Sequence, residues 1–199
     1  MLLPALRHPL LLAHAVGTLD RIAEGRLVLG VGVATDRPPT RREFETVGVP
    51  FAERAGRMVE SLAICRRLWS ARSTADRVSY EGKYWTLDRV QVLPLPYRAG
   101  GPPIWMGGSS EAACRRTGQT ADGWFPTSPT PEAFGRGWRI VVDAAREAKR
   151  PSSAVVPALY ATVRLDAGAR QVVLRFAGPD QMQQLERATG GLLPSLRGS

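Results

Sequence analysis

Residues Leu27 to Val33 read LVLGVGV, and a short apolar run of this kind has no alternation to give it one wet face and one dry face. It reads as a strand covered on both sides, which is the habit of parallel sheets. Parallel neighbours need a crossover of a dozen or more residues between them, usually a helix. The chain therefore has to alternate strands with helices if this run is to be buried, and the rest of the sequence can be read against that demand.

It meets the demand in most places. Leu12, Ala15, Val16, Leu19 and Ile22 keep a helical period ahead of the run, and Phe51, Ala55, Met58, Leu62, Cys65 and Trp69 keep one behind it, predicting a helix from about Phe51 to Ser70. The intervening ATDRPPTRREFETVGVP reads as a loop, with Pro38 and Pro39 excluding a regular helix at its start. A hairpin excursion is predicted at about 77–93, around Glu81, Gly82 and Lys83. Strand PIWM, a helix from about Ser110 to Gln119, strand DGWFPTS and a helix opened by Pro131 and Glu132 follow. AVVPALYATVRL and QVVLRFAG are strand-like, and a final helical pattern runs from about Gln181 to Ala188. Only five residues separate Leu165 from Gln171, where a parallel crossover takes at least about 10 to 12. Either these two strands pair antiparallel or a crossover helix is absent.

At 199 residues and 44% hydrophobic content, one globular domain over 1–199 is expected. The net charge of +9 comes from scattered arginines, and the tryptophans sit inside apolar patterns, so nucleic acid is not the expected partner. No stretch approaches the roughly 20 apolar residues of a membrane-spanning helix. The first residues could pass for a signal peptide, but Pro9 interrupts the run and the helical period continues past it. Cys65 and Cys114 are isolated, fitting a reducing cytoplasm better than a disulfide framework. His8 and His14, six apart, cannot share a helix face as metal ligands, so no metal site is expected.

Two glycine-bearing strand ends are the candidate binding elements. GVGVAT, Gly30 to Thr35, lacks the third glycine and the immediate helix of a dinucleotide fingerprint. Its glycines serve strand-end packing or close approach of a ligand. Gly107, Gly108, Ser109 and Ser110 lie between a strand and a helix, where unpaired N–H groups and the helix dipole can hold a phosphate. The plainer alternative is an ordinary N-cap at Ser109 or Ser110. Asp122 reads as a turn residue and Trp124 as core rather than a stacking platform.

Taken in order, HPLLLAHAVGTLDRIAEGRLVLGVGV, REFETVGVPFAERAGRMVESLAICRRLW, YEGKYWTL, LPLPYRAGGPPIWMGGSSEAACRRTGQTADGW and GARQVVLRFAG resemble the luciferase-like monooxygenase family. The resemblance implies an α/β fold, a TIM-type (β/α)8 barrel present in part, lacking about three N-terminal β/α units and the helix between the last two strands. It implies an oxidoreductase using FMN or coenzyme F420 for hydride transfer or oxygen activation on a small-molecule substrate. Gly107, Gly108 and Ser109 match the phosphate holders, with Ser110 beside them; Val31, Gly32 and Val33 match a strand end near the flavin ring. Thr127 matches a position that meets cofactor or substrate. In the sugar-phosphate dehydrogenase branch a glutamate stands where this chain has Thr35, so that branch does not fit. No catalytic acid or base can be named, because the family's usual candidates fall in the unmatched part. Open sheet edges would invite pairing with another chain, such as a homodimer. The alternative reading is a truncated, inactive relative that binds at most an anionic ligand or a partner protein.

Overall fold

The computed structural model describes residues 1–127, 129–163 and 172–176. The fold is α/β, and the chain divides into two compact units, Met1–Ile104 and Trp105–Ser199.

In the first unit, α1 (Pro9–Ile22) leads into β1 (Leu29–Val31), followed by α2 (Pro38–Thr46), α3 (Arg54–Trp69), β2 (Val78–Glu81) and β3 (Thr86–Val90). Helix α1 lies where its periodicity predicts, but it buries a different face. Leu12 and Val16 are core residues, together with Pro9, Ala13, Gly17 and Asp20, while Leu19 and Ile22 are 52% and 72% exposed. Three polar tethers select this face: the Trp69 indole N–H donates to the Ala13 carbonyl at 3.1 Å, the Cys65 thiol to Pro9 at 3.5 Å, and the buried Asp20 carboxylate accepts the Arg98 N–H at 2.8 Å. A period identifies a helix; the partners decide which of its faces is covered.

Helix α2 corrects the expected loop. Pro38 and Pro39 occupy its first two positions, where the helix has no acceptor for their missing N–H groups and the fixed φ of proline is already helical. The prolines start this helix instead of preventing it. Helix α3 begins after a 3-10 turn at Phe51–Glu53, and Arg57 pairs with Glu53 at 2.8 Å as the one-turn spacing suggests.

Strands β2 and β3 pair antiparallel as a hairpin whose tip is fastened to α3. The Glu60 carboxylate accepts three successive main-chain N–H groups, from Lys83 at 3.1 Å, Tyr84 at 3.0 Å and Trp85 at 3.1 Å. The Arg57 guanidinium lies 4.9 Å from the Tyr84 ring centroid and 5.6 Å from that of Trp85. A charged acceptor serving three amides is a strong fastening.

The second unit continues with β4 (Ile104–Met106), α4 (Glu111–Thr120), β5 (Gly123–Trp124), α5 (Pro131–Glu147), β6 (Val156–Pro157), β7 (Leu159–Val163) and β8 (Val172–Phe176). Strand β5 pairs parallel with both β4 and β6, with Trp105 opposite Gly123 and Met106 opposite Trp124. Helices α4 and α5 are the crossovers that a parallel sheet requires. The core gathers Cys114, Trp124, Phe134, Val141, Ala145, Val155 and Leu159. Strands β7 and β8 pair antiparallel, Leu159 opposite Phe176 through Val163 opposite Val172, which decides between the two alternatives open in the sequence. An antiparallel pair needs no crossover helix. The helical pattern at 181–188 lies outside the described residues.

Replacing Glu60 with alanine leaves three hairpin amides without their acceptor. Hydrogen exchange is expected to accelerate at Lys83, Tyr84 and Trp85, with a stability loss of about 1 to 2 kcal/mol given the partial exposure of the carboxylate. Unchanged exchange at those amides would show that the hairpin is held by its ring contacts alone.

Candidate functional site

The segment between β4 and α4 changes direction in four residues. Gly107 is buried, Gly108 half-buried, and Ser109 and Ser110 exposed. Gly108 has φ +116°, a conformation that side-chain-bearing residues rarely adopt, and a Cβ there would stand 2.8 Å from the Cβ of Ala113. Glycine is required at 108 by backbone and by space. Ser110 is the N-cap: its Oγ accepts from the Ala113 N–H at 3.3 Å. The ordinary capping role is therefore filled by Ser110, which leaves Ser109 as an exposed neighbour with no capping duty.

What orients this bend is a side chain from the next strand. The Trp124 ring is 1% exposed, packed 5.0 Å from Phe134 and 6.4 Å from Trp138, and its indole N–H donates to the Gly108 carbonyl at 2.9 Å. A trans peptide holds its C=O and N–H on opposite sides. Because the Gly108 carbonyl is turned toward the core, the Ser109 N–H is turned away from it. The first N–H groups of α4, on Glu111 and Ala112, have no acceptor within the helix either. Together these three donors can face one anion.

The electrostatics of the bend are mixed. Glu111 opens α4, which suits the helix dipole but opposes an incoming anion. Its carboxylate is engaged by Arg115 at 3.1 Å, and Arg115 also meets Glu147 at 3.3 Å. The Arg150 guanidinium donates to the carbonyls of Gly118 at 2.5 Å and Ala121 at 2.7 Å, closing the other end of α4. Asp122, in the bend before β5, lies 3.8 Å from Arg150 and accepts the Val156 N–H through its carbonyl at 2.9 Å.

Thr127 lies three residues beyond β5 and is exposed. The remaining sequence-predicted residues belong to the first unit. Val31 ends β1 fully buried, Gly32 is buried, and Val33 is half-buried. Leu2 runs beside this strand end in a parallel bridge, its N–H donating to Gly30 at 2.9 Å and its carbonyl accepting from Gly32 at 3.0 Å. A Cβ on Gly32 would meet the Met1 sulfur at 3.2 Å. The neighbour approaching Gly32 closely is thus a methionine side chain. Thr35, the place of the missing glutamate, is exposed after Ala34, whose φ is +68°.

Sequence reasoning passed over Trp124 as a site residue. It reads as core, and it is core, but a buried indole must satisfy its N–H, and the nearest chain to satisfy it is the glycine bend. Among the described residues no group of three or more His, Cys, Asp or Glu could hold a metal ion. Nor is any helix among them long and apolar enough to cross a membrane. His8 caps α1 through Nδ1, 3.3 Å from the Leu10 N–H, and His14 Nδ1 lies 2.7 Å from the Leu93 carbonyl oxygen. Both thiols are buried, and burial pushes Cys65 up to about 12.

A family model described as luciferase-like monooxygenase matches residues 1–189. Among curated proteins, the chain is 33% identical over 153 residues to a phthiodiolone/phenolphthiodiolone dimycocerosates ketoreductase of Mycobacterium tuberculosis, covering 76% of this chain and 38% of that protein. Among solved structures it resembles a coenzyme F420-dependent tetrahydromethanopterin reductase from Methanopyrus kandleri, with TM-score 0.64, 24% identity, and 77% and 46% of the two chains covered. It also resembles the oxygenating constituent of 3,6-diketocamphane monooxygenase from Pseudomonas putida in complex with FMN, with TM-score 0.61, 25% identity, and 75% and 43% covered. The chain thus spans less than half the length of each of these relatives.

Two measurements check the bend at Gly108 and, separately, the burial of the Cys65 thiol. Gly108→Ala is expected to cost at least about 1 to 3 kcal/mol, from backbone strain and the close approach to the Ala113 Cβ together, read from a denaturant midpoint; a wild-type midpoint would mean the bend relaxes freely. Cys65 is expected to stay silent toward a thiol reagent in the folded chain. Its ordinary value of 9.0 applies once unfolded, so the thiol's contribution to stability is whole below pH 9 and is lost as pH rises toward about 12. Modification of the folded chain at pH 8 at the rate of an open thiol would contradict that burial.

Proposed function

We propose that this chain, which belongs to the luciferase-like monooxygenase family, binds FMN or coenzyme F420 by its phosphate at the bend Gly107–Ser110 and carries out flavin-type oxidoreduction on a small organic substrate. The observation that carries this reading is the Trp124 bond to the Gly108 carbonyl, which turns the Ser109 N–H away from the core beside the open N–H groups of α4. Bound there, the cofactor would supply hydride transfer or oxygen activation. The protein's part is positioning. Gly108 permits the bend, the Ser110 hydroxyl occupies the Ala113 N–H, and Ser109, Glu111 and Ala112 offer the donors. Arg115 draws off the Glu111 charge that would oppose a phosphate. Thr127, exposed beyond β5, is proposed as a further contact to the cofactor. The ketoreductase named among the relatives favours hydride transfer over oxygen activation.

The second reading is binding without turnover.

Fluorescence titration of the purified chain with FMN and with F420 tests the proposal. Saturable binding of one of them is expected, weakened about two- to tenfold in Trp124→Phe, which keeps an aromatic ring and loses one hydrogen bond. Failure of the wild-type chain to bind either would refute the proposal. Binding with no oxidation or reduction of the cofactor by any carbonyl or alcohol tried would favour the second reading.

A further inference from the structure

The bend Gly107–Ser110 and the first two residues of α4 carry a single charged side chain, and it is an acid, Glu111. The cation paired with it is shared. Arg115 Nε lies 3.1 Å from Glu111 Oε1, and another nitrogen of the same guanidinium reaches Glu147 of α5 at 3.3 Å. The Arg115 guanidinium is held above its ordinary value by both acids, first by the Glu111 hydrogen bond and then by the field of Glu147. One positive charge thus serves two carboxylates, and the three side chains together keep an excess negative charge beside the bend. Arg146 on α5 does not cancel it, being balanced by Asp143 at 3.1 Å.

The donors of the bend are of another kind. Ser109, Glu111 and Ala112 present main-chain N–H groups, and a helix start offers only a fraction of a charge. An incoming anion therefore gains partial charges from the backbone and meets a whole one on Glu111, which Arg115 offsets only in part. Such a balance does not treat all phosphates alike. A phosphate monoester carries about −1.5 to −2 at neutral pH. A diester keeps a single negative charge, because its second acidic oxygen is esterified. The amide donors serve both equally well, so the added charge of the monoester is what Glu111 opposes. Two like charges about 4 Å apart in water cost roughly a factor of five in affinity. Glu111 is 67% exposed and partly paired, so a factor of about two to five is the expected scale.

We infer that Glu111, sharing Arg115 with Glu147, sets the charge this bend accepts, favouring a singly charged phosphodiester over a doubly charged phosphomonoester. The inference rests on the proposed reading of the bend as a phosphate site and adds which phosphate it takes. Of the two cofactors proposed, FMN carries a monoester and coenzyme F420 a diester, so Glu111 selects the deazaflavin.

The test uses the full chain at pH 8 and low ionic strength, with three probes that share one ring: FMN, its methyl phosphodiester, and riboflavin, which has no phosphate. Fluorescence titration of the wild type should find the methyl diester bound about two- to fivefold more tightly than FMN, and riboflavin more weakly than the diester. Glu111→Gln, shown to be folded by circular dichroism melting, should erase the preference by strengthening FMN, while Glu111→Asp retains it. Arg115→Gln should widen it, since the compensating cation is gone. FMN bound as tightly as the diester by the wild type overturns the inference, and so does a preference that survives Glu111→Gln; in both cases the phosphate site itself still stands. All three probes binding alike, or none binding, refutes the phosphate reading of the bend and the inference with it.

Discussion

One hydrogen bond, from the buried Trp124 indole to the Gly108 carbonyl, ties the core of the second unit to its candidate site. The indole is held by Phe134 and Trp138, so it acts as a fixed post. A peptide plane fastened at its carbonyl has its N–H direction decided as well, and a donor fixed before a ligand arrives incurs little reorganisation when one binds. Glycine adopts the positive φ at 108 without strain, so the arrangement costs chiefly the conformational freedom that this residue loses on folding.

Around that post the site has an uneven balance of charge. The helix dipole and three outward donors favour an anion, but each favourable interaction at a helix start is worth only about 0.3 to 1 kcal/mol when exposed. Glu111 works against them and Arg115 screens it. A phosphate alone would therefore bind weakly here. Useful affinity needs contact area from the rest of the ligand. The scattered arginines of a chain with net charge +9 add a favourable long-range field without adding a specific contact.

The parts of the fold legible in the sequence are those governed by local rules. LVLGVGV and PIWM announce buried strands through continuous hydrophobicity, and both are observed, as β1 and β4. Ser110 caps its helix because a serine before an alanine-rich run has few other uses. Where reading failed, partners distant in sequence decided. The covered face of α1 is chosen by Trp69, Cys65 and Arg98, and a buried Asp20 is invisible to any count of apolar positions. At α2 the error was one of rule: proline stops a helix in its interior but begins one comfortably at its first turn. In the site, the glycines and serines were evident, while the residue orienting them was hidden by its own burial, since sequence alone cannot say where an indole N–H points.

The central claim is that the Trp124 post aims main-chain donors at an anion, and amide NMR observes those donors directly. Titrating FMN into the labelled chain should shift the amide signals of Ser109, Glu111 and Ala112 together along one saturation curve, with the Trp124 indole proton remaining protected from exchange. Saturation that leaves those three amides unmoved while signals elsewhere shift would place the anion at another site and contradict the account.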